Sequence, residues 1–424
     1  MKTINIVNPN RYLLVLQEQS KSAINKVQSE FNVQLNSSTE LNEMVRLQDM
    51  MGKRQGVVFK NLGIAVLDDL EEEQLVYSKN ASKSPVIYYE KEKEFTTANS
   101  LEKLKEAQQT SILLQQQLLE LEEIIKEQIE KDHESFHLTW GLEAIGLSKS
   151  KFTGKGISIA VLDTGFYLEH PDFQGRSIQG KSFIRGEDWD KDGNGHGTHC
   201  TGTAAGNISH IDGHRYGVAN ESYIVIGKVL SNAGTGSTSG IIDAIDWVIE
   251  KNFNVISMSL GMPVGVGEPP SLIFEHVGQT ALNKNVLLIA AAGNNSSRPS
   301  LPRPVSSPAN AESIMAIAAL DRQLQIARFS NGGINAANGG RVDLSGPGVE
   351  VFSSFSKLAS NASLYATLNG TSMATPHVSG VAALYFEAFP KDSASEIWRK
   401  LEKRTKQLSG QLIRDVGQGL VQSI

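Results

Sequence analysis

Three short segments, each bracketed by glycine, carry the side chains that nucleophilic acyl transfer requires. Val161-Leu162-Asp163-Thr164-Gly165 supplies a carboxylate, and Gly195-His196-Gly197-Thr198-His199-Cys200 supplies imidazoles. Asn369-Gly370-Thr371-Ser372-Met373-Ala374-Thr375-Pro376-His377 supplies a hydroxyl at a helix start. A serine becomes a nucleophile when an imidazole takes its proton and a carboxylate holds that imidazole in the right tautomer. A fourth segment, Ala290-Ala291-Ala292-Gly293-Asn294-Asn295, follows an apolar run and ends in an amide that can donate to a developing oxyanion. Taken singly, each segment has a plainer reading: an Asp-Thr-Gly turn, a capping serine, a Gly-Asn turn. Their joint presence is what points to one site.

With the order Asp163, His196, Ser372, these segments resemble the motifs of the subtilisin-like serine proteases. The resemblance runs from about residue 135 to the C-terminus. It implies a serine endopeptidase working through an acyl-enzyme, with Asp163, His196 and Ser372 as catalytic residues. His196 then is the general base and His199 is structural. Asn294 and the Ser372 N–H form the oxyanion hole, and loss of one such donor costs roughly 10²–10³ in kcat, a range drawn from subtilisin itself. Ala233-Gly234-Thr235-Gly236 and Ser259-Leu260-Gly261 resemble edges that pair with an extended peptide, so that Gly234, Thr235, Gly236, Ser259, Leu260 and Gly261 bind substrate backbone. Ala291, Ala292, Gly293 and Ser306 are expected to line the first specificity pocket, whose small walls leave room for an apolar or aromatic side chain. Cys200 is expected to be a buried structural thiol rather than a second nucleophile.

No cofactor is required for this chemistry. Structural calcium is the one metal to weigh, because Asp172 in His170-Pro171-Asp172 matches a calcium ligand of the family. The loop from Asn207 to Tyr216, which would complete that shell, departs from the pattern. Asp188-Trp189-Asp190-Lys191-Asp192-Gly193 opens like a calcium loop, but His199 stands where its last carboxylate ligand belongs. It reads as an acidic loop ahead of His196.

The elements that position these groups follow from hydrophobic patterning. Ile157 to Leu162, Tyr223 to Leu230, Val255 to Leu260 and Val286 to Ala292 are apolar, strand-like runs. They alternate with helices at Gly240 to Lys251 and Leu272 to Asn283, which predicts an α/β fold: a mostly parallel sheet flanked by helices. Ahead of it, residues 1–95 read as a small α+β unit: a strand at Tyr12–Leu16, a helix from Ser20 to Leu35, strands at Gly56–Phe59 and Leu62–Leu67, a short acidic helix from Leu70 to Tyr77, and a strand at Pro85–Tyr89. Its β-α-β-β-α-β order resembles the ferredoxin-like propeptide domains that act as folding template and inhibitor in this family, with an unrelated ferredoxin-like module as the alternative. The tail Glu90 to Phe95 resembles the piece a propeptide lays into the active site. In residues 96–134, Leu104, Ala107, Ser111, Leu114, Leu118, Leu121 and Ile125 follow a spacing of three and four, that of an amphipathic helix packed on its own protein or of a coiled coil that self-associates or takes a partner. Residues 135–424 form the peptidase unit, with no further C-terminal module expected.

Bulk properties narrow the partners. The 424 residues suit two or three units, and a net charge of -6 with no basic stripe disfavours nucleic acid. No run reaches the roughly 18–20 apolar residues of a membrane span. The first ten residues lack the apolar core of a signal peptide, and one cysteine permits no internal disulfide, so the cytoplasm is expected, with unconventional export left open. The expected partners are a peptide or protein substrate and the chain's own propeptide. Two other readings remain at this stage: a dedicated leader peptidase of the same chemistry, and an inactive scaffold that binds partners.

Overall fold

Five aliphatic runs build the centre of the molecule. Ser158–Asp163, Val255–Met258, Leu287–Ala291 and Met315–Leu320 are buried at every position, and Tyr223–Lys228 at all but its first. Such runs suit strands covered on both faces, as parallel strands are. The computed structural model describes residues 10–17, 20–37, 55–68, 84–97, 137–211, 213–359 and 363–424, with Leu70 and Leu75. In it these strands join a nine-stranded sheet. Its spatial order is Thr405–Lys406, Leu420–Val421, Leu344–Pro347, Met315–Leu320, Leu287–Ala291, Val255–Met258, Ser158–Asp163, Tyr223–Lys228 and Ile178–Ser182. Only the edge strand Thr405–Lys406 runs antiparallel.

Side chains alternate between two apolar layers, as the pleat requires. Ile159, Val161, Ile224 and Ile226 face the helices His196–Ala205 and Thr371–Ala388, while Ala160, Leu162 and Val225 face the helices Thr238–Glu250 and Leu272–Asn283. Ser158–Asp163 comes first in the chain yet lies inside the sheet, so the strand order reverses beside its carboxyl end. α/β sheets bind ligands at such a switch point. Asp163 sits there.

The N-terminal segment forms its own five-stranded sheet. Tyr12–Leu16 lies between Ile64–Leu67 and Val86–Lys91, and all five of its residues are buried. Tyr12, Leu14 and Leu16 pack with Val27 of the helix Lys21–Phe31, whereas Leu13 and Val15 join the apolar layer that contains Phe274 and Ile273. Polar contacts reinforce this seam. Glu90 accepts from Ser271, the N-cap of the helix Leu272–Asn283, at 2.7 Å, and Glu92 accepts from Ser239 at the start of the helix Thr238–Glu250. Carboxylates at helix N-termini complement free N–H groups and the helix dipole. Arg11 holds Asp68 through two bonds and lies 3.5 Å from Glu92.

The strand and helix expectations within the described residues hold, with shifted ends. The helix expected to run to Leu35 stops at Phe31, because Asn32 takes the left-handed conformation at φ 50° that asparagine tolerates. Gln34–Ser37 then pairs in parallel with Gln55–Phe59 as a strand that patterning did not reveal. Ile178–Ser182 was equally hidden, since an edge strand with polar residues has no apolar run. The expected helices at Leu70 to Tyr77 and across 97–134 lie outside the described residues except for Leu70, Leu75 and Thr97. Among the described residues no helix is long and apolar enough to cross a membrane.

The helix Thr371–Ala388 runs against its neighbours at the contact distance of small residues. A methyl group on Gly380 would stand 2.5 Å from Val218 Cβ and 2.8 Å from the Ala204 carbonyl. Gly380→Ala is therefore expected to destabilise the protein by about 1–3 kcal/mol through overpacking. The shift in the urea unfolding midpoint, measured in a Ser372→Ala background that prevents self-digestion, checks this.

Candidate active site

The turn after the strand Ser158–Asp163 and the first turn of the helix His196–Ala205 meet so closely that the contact excludes any side chain. A Cβ on Gly197 would stand 2.2 Å from the Gly165 carbonyl oxygen. Gly195, at φ 92°, caps the same helix in a conformation that glycine alone adopts without cost. The result is a contact of 2.8 Å between His196 Nδ1 and Asp163 Oδ1. The Thr164 N–H donates to the same Oδ1 at 2.7 Å.

Burial disfavours charge on His196, but the adjacent Asp163 carboxylate more than offsets it, with a smaller contribution from Cys200, and holds the imidazole pKa well above its usual value. His199 and His377 go the other way. Burial pushes them down to about 3 and about 4, so both stay neutral. His199 Nε2 lies 3.0 Å from the Val351 carbonyl and 3.1 Å from that of Ala366, which ties the histidine helix to the hairpin of Val351–Ser354 and Tyr365–Leu368. This is the geometry of a structural residue. Cys200 Sγ lies 3.8 Å from His196 Nδ1 and 3.5 Å from the Ser372 carbonyl, and burial raises its pKa, which keeps the thiol protonated.

Ser372 is buried in the first turn of its helix, and its Oγ donates to the Ser259 carbonyl at 3.3 Å. Among the described residues His196 Nε2 has no partner. Asn294 is oriented by Thr371, whose N–H and Oγ1 donate to Asn294 Oδ1 at 2.9 and 3.0 Å. Asn294 Nδ2 is thereby turned away, shut off from solvent and without a partner among the described residues. A buried amide donor left unmatched in the resting protein is what a charge arising only during reaction calls for. Thr371 escaped the sequence reading although it precedes Ser372; nothing in its type distinguishes an orienting hydroxyl from a capping one.

The two expected substrate rails are occupied. Glu94–Thr97 lies between Thr235–Ser237 and Leu260–Gly261 as the middle strand of a three-stranded antiparallel sheet. Thr235 stands opposite Thr96, Gly236 opposite Phe95, Leu260 opposite Thr97 and Gly261 opposite Thr96, while the Thr97 N–H donates to the Gly234 carbonyl at 2.9 Å. Phe95 is fully buried beside Leu230 and Leu260 and meets Phe274 edge to face, with centroids 5.4 Å apart. The inserted segment thus begins later than the expected Glu90 to Phe95, because Val86–Lys91 is committed to the N-terminal sheet. For the specificity pocket, the Ser306 N–H donates to the Ala292 carbonyl at 2.9 Å, and Gly293, at φ 102°, lies against Ser306 Oγ. Ala291 ends its strand beside them, fully buried.

The calcium expectation fares differently. The buried Asp172 carboxylate accepts from the hydroxyl of Tyr216 at 2.7 Å and of Tyr365 at 2.9 Å, and lies 3.0 Å from His210 Nδ1. Calcium takes shells of oxygen acceptors, and these neighbours donate to Asp172, so its partners among the described residues do not fit the ion. The three carboxylates of Asp188, Asp190 and Asp192 do not share one environment either, because Asp188 is exposed whereas Asp192 is fully buried.

A family model, the subtilase family, matches residues 154–420. Subtilisin DY of Bacillus licheniformis is 34% identical over 270 residues, which span 64% of this chain and 90% of that protein. Subtilisin Savinase of Lederbergia lenta is 36% identical over 285 residues, spanning 66% and 96%. Among solved structures, a cold-adapted subtilisin-like serine proteinase overlays with a TM-score of 0.54 at 31% identity, covering 68% of this chain and 97% of that one. The chain belongs to the subtilase family and is a subtilisin-like serine endopeptidase.

The histidines provide a direct check on the electrostatics. In a nitrogen-15 histidine titration, His196 should still be charged above pH 6.5, because a raised pKa keeps the proton to higher pH. His199 and His377 should remain neutral at pH 5, below which an ordinary imidazole is fully charged.

Proposed function

We propose that this protein is a self-inhibited zymogen whose Ser372, His196 and Asp163 form the catalytic triad and whose N-terminal unit is the inhibitor that it cuts away itself. In the reaction, Ser372 Oγ attacks the carbonyl carbon of the scissile peptide and passes its proton to His196 Nε2. Asp163 holds the imidazole through Nδ1 and stabilises the imidazolium. The tetrahedral oxyanion accepts from Asn294 Nδ2 and the Ser372 N–H. Collapse expels the amine, which takes its proton from His196, and water then hydrolyses the acyl-enzyme by the same steps in reverse. Gly234, Thr235, Gly236, Leu260 and Gly261 bind substrate main chain, while Ala291, Ala292, Gly293 and Ser306 wall the first specificity pocket.

The single observation that carries this reading is the strand Glu94–Thr97 between the two rails. Substrate-like pairing on both edges is what an inhibitor of its own enzyme needs, and main-chain bonds supply the affinity. Register supports a position for the cut. Thr96 and Thr97 stand opposite Gly261 and Leu260, so the next rung along that rail is Ser259, whose carbonyl accepts from Ser372 Oγ. The strand therefore runs toward the nucleophile, and the first bond hydrolysed is expected on the C-terminal side of Thr97.

The purified chain is expected to yield a fragment whose N-terminus lies beyond Thr97, read by N-terminal sequencing, and Ser372→Ala is expected to remain whole. Cleavage of the Ser372→Ala chain at the same bond would overturn self-processing. Asn294→Ala should lower kcat on a peptide substrate by roughly 10²–10³ with KM little changed, because the lost donor acts on the transition state.

A further inference from the structure

The loop ahead of His196 contains a carboxylate that the chemistry above does not use. Asp192 is fully buried, and no cation pairs with it among the described residues. Instead it collects five donors. Its Oδ1 accepts from Thr164 Oγ1 at 2.9 Å, from the Asn194 N–H at 3.1 Å and from the Gly195 N–H at 2.9 Å. Its Oδ2 accepts from the Thr198 N–H at 2.9 Å and from Thr198 Oγ1 at 2.7 Å. A buried carboxylate costs several kcal/mol unless such bonds satisfy it, so every donor is drawn tight against it.

Both hydroxyls are relays. Thr164 Oγ1 donates to Asp192 and accepts from the Gly197 N–H at 2.9 Å, and Thr198 Oγ1 donates to Asp192 and accepts from the Tyr167 N–H at 3.0 Å. Thr164 and Tyr167 flank the Asp163 turn, while Gly197 and Thr198 follow His196 directly. One carboxylate therefore locks the turn that carries Asp163 to the helix start that carries His196. Lys228 secures the far side of the turn, since its buried ammonium donates to the Thr164 carbonyl and, at 2.9 Å, to Asn232 Oδ1.

We infer that Asp192 is a positioning residue for the reaction: through Thr164 and Thr198 it sets the alignment between Asp163 and His196. This rests on the triad proposed above. Its role is separate from supporting the fold, because the bonds it collects are concentrated on the two segments whose relative placement decides whether His196 faces Asp163.

The test uses the full chain. Asp192→Asn keeps the side-chain shape and removes the charge. Thr164→Val deletes one relay, and Thr164→Ser retains it. The His196 Hδ1 resonance and its titration midpoint are followed by NMR, and kcat and KM are measured on a peptide anilide after self-cleavage is complete. Asp192→Asn and Thr164→Val should move the Hδ1 resonance upfield, lower the His196 midpoint, and reduce kcat by up to ~10²-fold, the cost of a misplacement of about 1 Å. KM should stay within about twofold, as expected when only transition-state alignment is lost. Thr164→Ser should restore both readouts. The inference fails if a folded Asp192→Asn chain keeps the parental resonance, midpoint and kcat, or if Thr164→Ser is as impaired as Thr164→Val. Should Asp192→Asn not fold, the Thr164 pair decides alone. Loss of activity in Ser372→Ala but none in these variants would leave the triad standing and remove the role given to Asp192.

Discussion

The structure depends on one buried contact, that between Asp163 and His196. Two groups able to carry opposite charge lie 2.8 Å apart where water is excluded. In that setting their attraction is strong, but so is the cost of any misfit, since an unmatched buried charge is among the most destabilising features a protein can hold. Much of the surrounding architecture answers to this. The sheet reverses order beside Asp163, the histidine helix starts on a left-handed glycine, and Gly197 lets that helix touch the Asp163 turn with no side chain between. Two other buried histidines, His199 and His377, are held neutral by burial, so they add no competing charge.

A second constraint concerns sheet edges. The rails at Thr235–Ser237 and Leu260–Gly261 are short strands whose facing edges would be left open without a strand between them, and such edges invite one. The protein meets that demand with its own residues Glu94–Thr97. The same geometry that would read a substrate also docks the N-terminal unit. Around it, Phe95 against Phe274 and the carboxylates of Glu90 and Glu92 at two helix starts fix how the unit sits.

How much could be read beforehand varied with the kind of interaction. The parallel strands were legible because burial on both faces leaves an unbroken aliphatic run, and the helix Leu272–Asn283 because its Ser271 cap and apolar spacing are local. Asp163, His196, Ser372 and Asn294 stood out as candidates because each stands in a short motif of small residues. Ile178–Ser182 and Gln34–Ser37 were not, for they gain their identity as strands only from a partner far along the chain. Asp172 looked like a metal ligand in its own tripeptide, and the two tyrosines that take up its oxygens arrive from 44 and 193 residues away.

By itself, then, the order of residues determined the reaction type and the layered fold, since both are written in local spacing: which side chains sit in which turns, and which faces are greasy. Tertiary structure alone decided how those side chains are held. That Asn294 presents its nitrogen rather than its oxygen follows from Thr371, 77 residues on. That the groove is filled follows from an antiparallel pairing between segments some 140 positions apart, Glu94–Thr97 with Thr235–Ser237. That Asp192 gathers the turns of Asp163 and His196 follows from hydroxyls on both of them converging on one buried carboxylate. Hydrogen bonds between distant segments have no periodicity to leave in a sequence, so only the folded chain reveals them.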